Sequence, residues 1–178
     1  MTQIRMLTGL QARDAMADLC EILSDCVNGG ASVGFMLPFD VANARPFWSA
    51  VADAVEAGDV VLLVAEHQSR ILGTVQVGLT QPPNQPHRAD VKKLLVHRAA
   101  RGLGLSRLLM AEAEKQAAKA GKSLLVLDTA TGEVAETIYE KFGWTKAGIV
   151  PDYALFPDGR FCHTSIFYKR LGEHVWGE

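Results

Sequence analysis

Apolar residues along this chain follow two different spacings, which predict both helices and strands. They recur three and four residues apart, as on one face of a helix, over residues 10–27, 40–57, 105–120 and 133–142. Shorter apolar runs and alternations predict strands over residues 3–7, 60–67, 71–80, 89–97, 123–128, 144–153 and 164–170. The turn signal Phe156-Pro157-Asp158-Gly159 separates the last two strands and predicts a hairpin.

The order of these elements determines the predicted fold class. A strand, two helices, three strands, a helix, a strand, a helix and a hairpin are typical of an α/β protein with one mixed sheet. A chain of 178 residues has the size of one domain. We therefore expect a single domain over residues 1–172, followed by a polar tail over residues 173–178.

Composition narrows the classes of partner. The net charge of −2 implies no large basic face, so we expect no nucleic-acid partner. The longest apolar run, residues 60–65, is too short to cross a bilayer, and the chain does not open with a signal peptide. Three cysteines without metal-ligand spacing favour reduced thiols in the cytoplasm and no metal site.

The most informative stretch joins the strand over residues 89–97 to the helix over residues 105–120. The connection is basic and contains Gly102 and Gly104, which let a ligand approach the backbone closely because neither has a Cβ. A strand that leads into a helix in this way directs free N–H groups and the positive end of the helix dipole at one point, which attracts a phosphate. Arg98 and Arg101 add positive charge there. A purely structural turn is the alternative interpretation.

Two other phosphate-binding motifs fit poorly. The dinucleotide fingerprint requires glycine where this chain has Arg107, and an acidic residue where residues 122–126 contain none. The Walker A pattern is absent, because Gly121-Lys122-Ser123 lacks the glycine five residues earlier.

Two segments together resemble one family. Residues 101–106, Arg-Gly-Leu-Gly-Leu-Ser, resemble the pyrophosphate loop of the GNAT N-acetyltransferases, although Ser106 stands where glycine or alanine is usual. Residues 134–144 resemble the family's Ala-x-x-x-Tyr-Glu-Lys-x-Gly-Phe segment, and the order of elements also matches. Within the family, the chain most resembles the tabtoxin-resistance acetyltransferases, over most of its length and notably at residues 29–36, 88–94, 127–129 and 157–160.

The resemblance implies the GNAT fold, with a mostly antiparallel mixed sheet flanked by helices, and acetyl-CoA as co-substrate. It implies that the loop binds the CoA pyrophosphate and that the preceding strand pairs with the pantetheine arm. The predicted cofactor-binding residues are Leu95, Val96, Arg98, Arg101, Gly102, Leu103, Gly104, Leu105 and Ser106. The family's asparagine contact to the CoA arm is missing, since the corresponding position is Gly132.

Tyr139 is the predicted proton donor to the departing thiolate. The resemblance places a tyrosine in this role, and a phenol with a pKa near 10 is close to a thiol in acidity. By pattern alone, Tyr139 belongs to the core stripe of its helix together with Ile138 and Phe142. Both readings remain open at this stage.

Asp90 and Asp128 are the candidates for deprotonating or anchoring the acceptor amine. Asp90 opens the central strand, and Asp128 ends the next strand at an edge where ligands of α/β sheets bind. A carboxylate at the mouth of an apolar strand should be partly desolvated, which raises its pKa towards useful values. The alternative for each is a strand-end residue that satisfies nearby backbone N–H groups.

The uncharged segment over residues 29–36 is either a flexible connection between helices or a wall of the acceptor pocket. In the second case Gly30, Ser32 and Phe35 contact the acceptor, together with Asp128. His163 follows the hairpin turn and is a weaker candidate for the same pocket.

These features together predict an acetyl-CoA-dependent N-acetyltransferase that modifies the amine of a small molecule by direct attack in a ternary complex. The resemblance suggests an amino-acid-like acceptor or a β-lactam toxin. A catalytically silent acyl-CoA-binding module and a nucleotide-binding α/β protein are the alternatives. We expect a monomer or a homodimer.

Overall fold

One mixed sheet forms the centre of the computed structural model, which describes residues 2–172. Within these residues the chain forms seven strands, five α-helices and a short 3-10 turn. The strands are β1 (Thr2–Leu7), β2 (Val60–His67), β3 (Arg70–Gly78), β4 (Arg88–Val96), β5 (Leu124–Ala130), β6 (Thr145–Leu155) and β7 (Phe161–Arg170). The helices are α1 (Gly9–Asp14), α2 (Met16–Asn28), α3 (Val41–Glu56), α4 (Leu105–Lys119) and α5 (Val134–Lys141), and the 3-10 turn covers Arg98–Ala100.

The strands lie in the order β1-β2-β3-β4-β5-β7-β6, and only β4 and β5 are parallel neighbours. This is the predicted α/β class with a mixed, mostly antiparallel sheet, and that prediction is confirmed. The predicted tail over residues 173–178 lies outside the described residues.

The parallel pair separates soon after it begins. Cα partners run only from Arg88 opposite Leu124 to Asp90 opposite Val126. Beyond this point β4 remains paired with β3, and β5 remains paired with β7. The two strands therefore part and leave a gap in the middle of the sheet, which backbone groups on both sides face.

A hydrophobic core packs against each face of the sheet. On one face, α1, α2 and α3 cover Leu62, Val64 and Leu95, with Trp48 fully buried among them. On the other face, α4 and α5 cover a second cluster that includes Val75, Leu127 and Phe167. Alternate residues of each central strand thus enter different cores, which explains why these strands are apolar over their full length.

The helix predicted over residues 10–27 is two helices rather than one. Thr8 and Gln11 form a reciprocal capping box that starts α1, and α1 ends after one and a half turns at Ala15. Gly9 lies so close to α3 that an added Cβ would be 2.8 Å from the carbonyl oxygen of Ala52. This close contact with α3 gives α1 a separate direction that the apolar spacing did not reveal.

Glu136 fastens the start of α5 to the sheet. Its carboxylate accepts hydrogen bonds from the Ser165 hydroxyl at 2.6 Å and from the Gly132 N–H at 2.6 Å, and it forms an ion pair with Lys146. The side chain is only 12% exposed. These donors, led by Lys146 and Ser165, lower the pKa of Glu136 to about 2.

We expect Glu136→Gln to destabilise the fold in a pH-dependent way. The charged carboxylate stabilises the folded protein above its unfolded pKa of about 4.3, and this contribution disappears as the pH falls towards about 2. At pH 7 the substitution should lower the free energy of unfolding by about 1.5–3 kcal/mol, as expected for a hydrogen bond to a charged group. The difference from the unsubstituted protein should shrink between about pH 5 and pH 2.

Urea denaturation at a series of pH values measures this effect. Glu140→Gln is the matched control, because Glu140 is an exposed residue of the same helix. It should change the stability by less than about 0.5 kcal/mol at every pH. Parallel stability profiles for the two variants would show that the Glu136 network contributes nothing.

Candidate active site

The gap between β4 and β5 opens into a cleft of about 610 Å³. β4 from Val91 to Val96 forms one wall, and the end of β5 with the start of α5 forms the opposite wall. Residues 29–34 close one side, and Arg101 and Ser106 lie at one end. The cleft therefore contacts the segments on which the sequence analysis placed cofactor binding, acceptor binding and catalysis.

The loop before α4 has the conformation that its glycines permit. Gly102 and Gly104 have φ angles of 82° and 74°, in the left-handed region that favours glycine. Gly104 is the N-cap of α4 and supplies no side-chain cap, and the first turn of the helix contains no acidic residue. Within residues 2–172, the N–H groups of Gly102, Gly104, Leu105 and Ser106 have no hydrogen-bond partner.

These four donors are free to hydrogen-bond with an anion, which is what the predicted pyrophosphate loop requires. The first N–H groups of a helix have no partner inside the helix, and the dipole adds positive potential there. Arg101 is exposed and lines the cleft at this end, and Leu103 is half exposed beside it. Leu105, by contrast, places its side chain in the core, so only its backbone is available.

Arg98 has a different contact from the one predicted. Its guanidinium forms an ion pair with Asp25 of α2, and its backbone N–H donates to the same carboxylate at 2.9 Å. The side chain thereby ties the 3-10 turn to α2. The sequence could not reveal this pairing because the partners are 73 residues apart.

Val96 and Leu95 present their backbone groups to opposite sides of β4. The His97 N–H donates to the Leu72 carbonyl oxygen in β3 at 2.9 Å. Since successive residues of a strand alternate, the N–H and C=O of Val96 face the gap, and those of Leu95 face β3. Leu95 is buried in the core below α2. Val96 is therefore the member of this pair whose backbone can pair with an extended ligand.

Tyr139 joins the core and also lines the cleft, so the two readings left open by the sequence are compatible. The ring is 6% exposed and packs against Phe167 and Trp144, with centroid distances of 5.8 and 6.2 Å. Burial, and secondarily the charge of Asp128, raise the pKa of Tyr139 above its ordinary value. The phenol is thus held neutral and can act as a proton donor.

The two candidate carboxylates have different surroundings. Asp128 lines the cleft beyond the point where β5 leaves β4. The sequence analysis expected this carboxylate to be partly desolvated, but the residue is exposed. Asp90 lies where the strands are still paired and is not among the residues that line the cleft. It forms an ion pair with Arg88 at 2.5 Å and accepts from Gln81 at 3.0 Å.

The loop over residues 29–36 forms a wall of the cleft and is tied to the β6–β7 hairpin. The Ser32 hydroxyl donates to the Leu155 carbonyl oxygen at 2.8 Å, and the Leu37 N–H donates to that of Pro157 at 3.0 Å. Gly30 and Ser32 line the cleft directly. Phe35 packs against Phe39 and Phe47 beneath the wall, with centroid distances of 5.0 and 5.4 Å.

Lys93 lines the cleft and is not among the site residues that the sequence analysis predicted. It lies at a bulge in β4 with a φ of 54°, and its ammonium group is directed into the region between the gap and α3. The sequence contains a signal, because two consecutive lysines interrupt the apolar residues of β4. Its orientation depends on the bulge, which sequence pattern does not predict.

His163 lies in the β6–β7 hairpin, where its ring Nδ1 accepts a hydrogen bond from the Asp152 N–H at 2.9 Å. Within residues 2–172, no three histidine, cysteine or acidic side chains are grouped so that they could hold a metal ion. None of the helices within residues 2–172 is long and apolar enough to span a membrane.

Comparison with known proteins agrees with this geometry. Residues 58–146 match the family model of the acetyltransferase (GNAT) domain. The structure of yncA from Salmonella typhimurium with its cofactor acetyl-CoA superimposes with a TM-score of 0.79 at 19% identity, and covers 100% of this chain and 98% of that one.

Two further structures have the same fold. A ribosomal-protein-alanine N-acetyltransferase from Brucella melitensis matches with a TM-score of 0.76 at 22% identity, over 95% of this chain and 99% of that one. An N-acetyltransferase from Staphylococcus aureus Mu50 matches with a TM-score of 0.78 at 20% identity, over 96% and 98%. Since the family model spans half of the sequence and the fold agrees throughout, this chain belongs to the GNAT acetyltransferase family.

Proposed function

We propose that this protein is an acetyl-CoA-dependent N-acetyltransferase that acts on the amine of a small molecule. The observation that carries the proposal is the alignment of three features along one cleft. Free N–H groups lie at the start of α4, the unpaired edge of β4 follows, and Tyr139 and Asp128 lie on the β5 side. This order corresponds to the pyrophosphate, the pantetheine amides and the thioester of acetyl-CoA.

The α4 end of the cleft binds the pyrophosphate in this proposal. Each N–H contact at a helix start contributes on the order of 1 kcal/mol, so the four donors act together with Arg101. The pantetheine arm then occupies the gap and hydrogen-bonds with the backbone of Val96, in place of the missing β5 partner. Within residues 2–172, β4 and β5 have no paired residues beyond Asp90 and Val126.

The reaction proceeds by direct attack. The acceptor ammonium loses a proton to Asp128, directly or through water, and the free amine attacks the thioester carbonyl carbon. The tetrahedral intermediate collapses with cleavage of the C–S bond, and Tyr139 hydrogen-bonds to the departing sulfur and gives it a proton. The second proton of the attacking nitrogen then passes through water to the Tyr139 oxygen, which restores the phenol. No protein nucleophile is required, because the two substrates are held in reacting geometry in one complex.

Asp128 is the carboxylate we assign to the acceptor amine. It is exposed towards the cleft, and its charge acts on both Tyr139 and Lys93. Asp90 stays with Arg88 and Gln81 and serves the start of β4 instead. The resemblance to the tabtoxin-resistance acetyltransferases supports an amino-acid-like or β-lactam acceptor, and the three free cysteines support a cytoplasmic location.

Purified protein with acetyl-CoA and pooled amines tests the proposal, with free thiol and acetylated product measured together. Amino acids, polyamines and β-lactam amines should be included. Production of thiol with a matching acetylated amine supports the proposal. Binding of acetyl-CoA without turnover of any amine would instead favour a silent acyl-CoA-binding module.

We expect Ser106→Asp to weaken CoA binding without weakening the fold. Ser106 lies in the first turn of α4, where an acidic residue favours the helix dipole. The melting temperature should therefore stay the same or rise. The same charge repels the pyrophosphate, so the dissociation constant for CoA, measured by calorimetry, should rise at least about tenfold.

Ser106→Ala and a truncated ligand provide the controls. The alanine variant introduces no charge and should bind CoA within about threefold of the unsubstituted protein. S-acetylpantetheine lacks the pyrophosphate, so Ser106→Asp should not reduce its turnover. Equal loss with both thioesters would contradict pyrophosphate binding at α4.

Tyr139→Phe should reduce turnover while acetyl-CoA affinity is retained. Removing a proton donor typically costs about 100- to 10,000-fold in rate. The raised pKa keeps Tyr139 protonated, so the unsubstituted enzyme should show no loss of kcat from tyrosine ionisation below about pH 10. Phe142→Leu, a change at the residue that directly follows the same helix, is the control, and kcat in both variants is measured by thiol release. Unchanged kcat in Tyr139→Phe would exclude the assigned role.

A further inference from the structure

Lys93 occupies an unusual position on the acceptor side of the sheet. The bulge that gives it a φ of 54° places Lys92 and Lys93 consecutively on the face covered by α3. The Lys93 ammonium nitrogen lies 5.9 Å from the ring centroid of Phe35 and 5.7 Å from that of Phe47. The aromatic faces hold the cation in place without using its hydrogen-bond donors.

No carboxylate within residues 2–172 forms an ion pair with Lys93, and its ammonium makes no hydrogen bond there. The side chain is half-buried. A partly buried charge without a counter-ion in direct contact is unfavourable, so such a group gains much from an anion supplied by a ligand. Desolvation lowers the pKa of Lys93, and the nearby charge of Asp128 opposes that change.

A second unpartnered donor lies beside it. Gln76 in β3 is 1% exposed, and its side-chain Nε2 has no hydrogen-bond partner within the described part of the chain. Gln76 and Lys93 both line a cavity of about 290 Å³ between the sheet and α3, whose other walls include Phe47, Val51 and Ala54. Buried amide groups are nearly always paired, so an unpaired donor next to a cavity is available to an acceptor group of a ligand.

From these observations we infer that Lys93 and Gln76 bind a carboxylate of the acceptor, which makes the acceptor an amine that carries an acid group. Asp128 lies on the same face, on the opposite side of the gap. A zwitterion can thus place its carboxylate at Lys93 and Gln76 and its ammonium at Asp128. This inference rests on the proposed function, because it specifies the acceptor of that same reaction.

The geometry also limits the size of the acceptor. The acid group must reach towards α3 while the amine remains at the gap, where the thioester lies. Apolar side chains of Phe47, Val51 and Ala54 surround the remainder of the cavity and favour an aliphatic body between the two charged ends. An amino acid or a short peptide-like amino acid has this arrangement of charges.

Matched acceptors test the inference directly. The twenty standard L-amino acids are compared with their methyl esters and, where available, with the corresponding decarboxylated amines. The enzyme should acetylate the best acid with kcat/KM at least about tenfold above its ester and its amine, since one charge-assisted hydrogen bond gives a difference of this size. Equal or better rates with the uncharged partners would overturn the inference.

Substitutions then assign the preference to particular residues. Lys93→Met should lower kcat/KM for the acid roughly 10- to 100-fold and leave that for the ester within about threefold. Lys93→Arg keeps the charge and should retain the preference. Lys119→Met is the matched control, because Lys119 is an exposed lysine of α4 that lines neither the cavity nor the cleft, and its loss should leave the acid-to-ester ratio unchanged.

Gln76→Met separates binding from folding. It removes an unpartnered buried donor at similar volume, so the melting temperature should rise while the acid-to-ester ratio falls. A fall in both acid and ester turnover in Lys93→Met would mean that the lysine serves the fold or the chemistry, and would overturn its role as an anchor. A lower ratio in Lys119→Met equal to that in Lys93→Met would do the same.

The outcomes also distinguish this inference from the proposed function. Efficient acetylation of amines without acid groups leaves the N-acetyltransferase proposal intact and removes only the carboxylate anchor. Failure to acetylate any amine removes the proposed function itself. Calorimetry of the best acid against the protein saturated with CoA gives a readout without turnover, and Lys93→Met should weaken this binding by the same factor.

Discussion

The separation of β4 from β5 is the constraint on which the rest of this structure depends. Parallel strands that stay together satisfy each other's backbone groups and leave no room between them. Here the pairing ends after Asp90, while each strand keeps its other neighbour. The sheet thus remains intact on both sides of an opening, and within residues 2–172 no strand pairs with the edge of β4 that faces this opening.

Helices packed on the two halves of the sheet keep this opening in place. α4 covers the β2–β4 side and α5 covers β5, so each half of the sheet has its own helix. Glu114 joins the two halves, because it binds Lys169 of β7 at 2.8 Å and accepts the Trp144 indole N–H at 3.0 Å. The groups around the cleft are therefore positioned by rigid elements rather than by loops alone.

Much of this arrangement could be predicted from sequence, because local patterns determine it. The turn at Gly102 and Gly104 follows from residues adjacent in the chain, and so does the position of Tyr139 on its helix. The failures concern long-range contacts. The pairing of Arg98 with Asp25 and the contact of α1 with α3 depend on tertiary packing, and the bulge at Lys93 breaks the two-residue period on which strand prediction relies.

The hydrogen bond from Ser32 to Leu155 joins segments that are 123 residues apart in the chain. The loop over residues 29–36 and the β6–β7 hairpin thereby form one continuous wall of the cleft. The two segments therefore form one unit of exchange, since either one transplanted alone into a related protein would lose the contact that holds its shape. Recombination within the family should accordingly favour exchanges that preserve this pair.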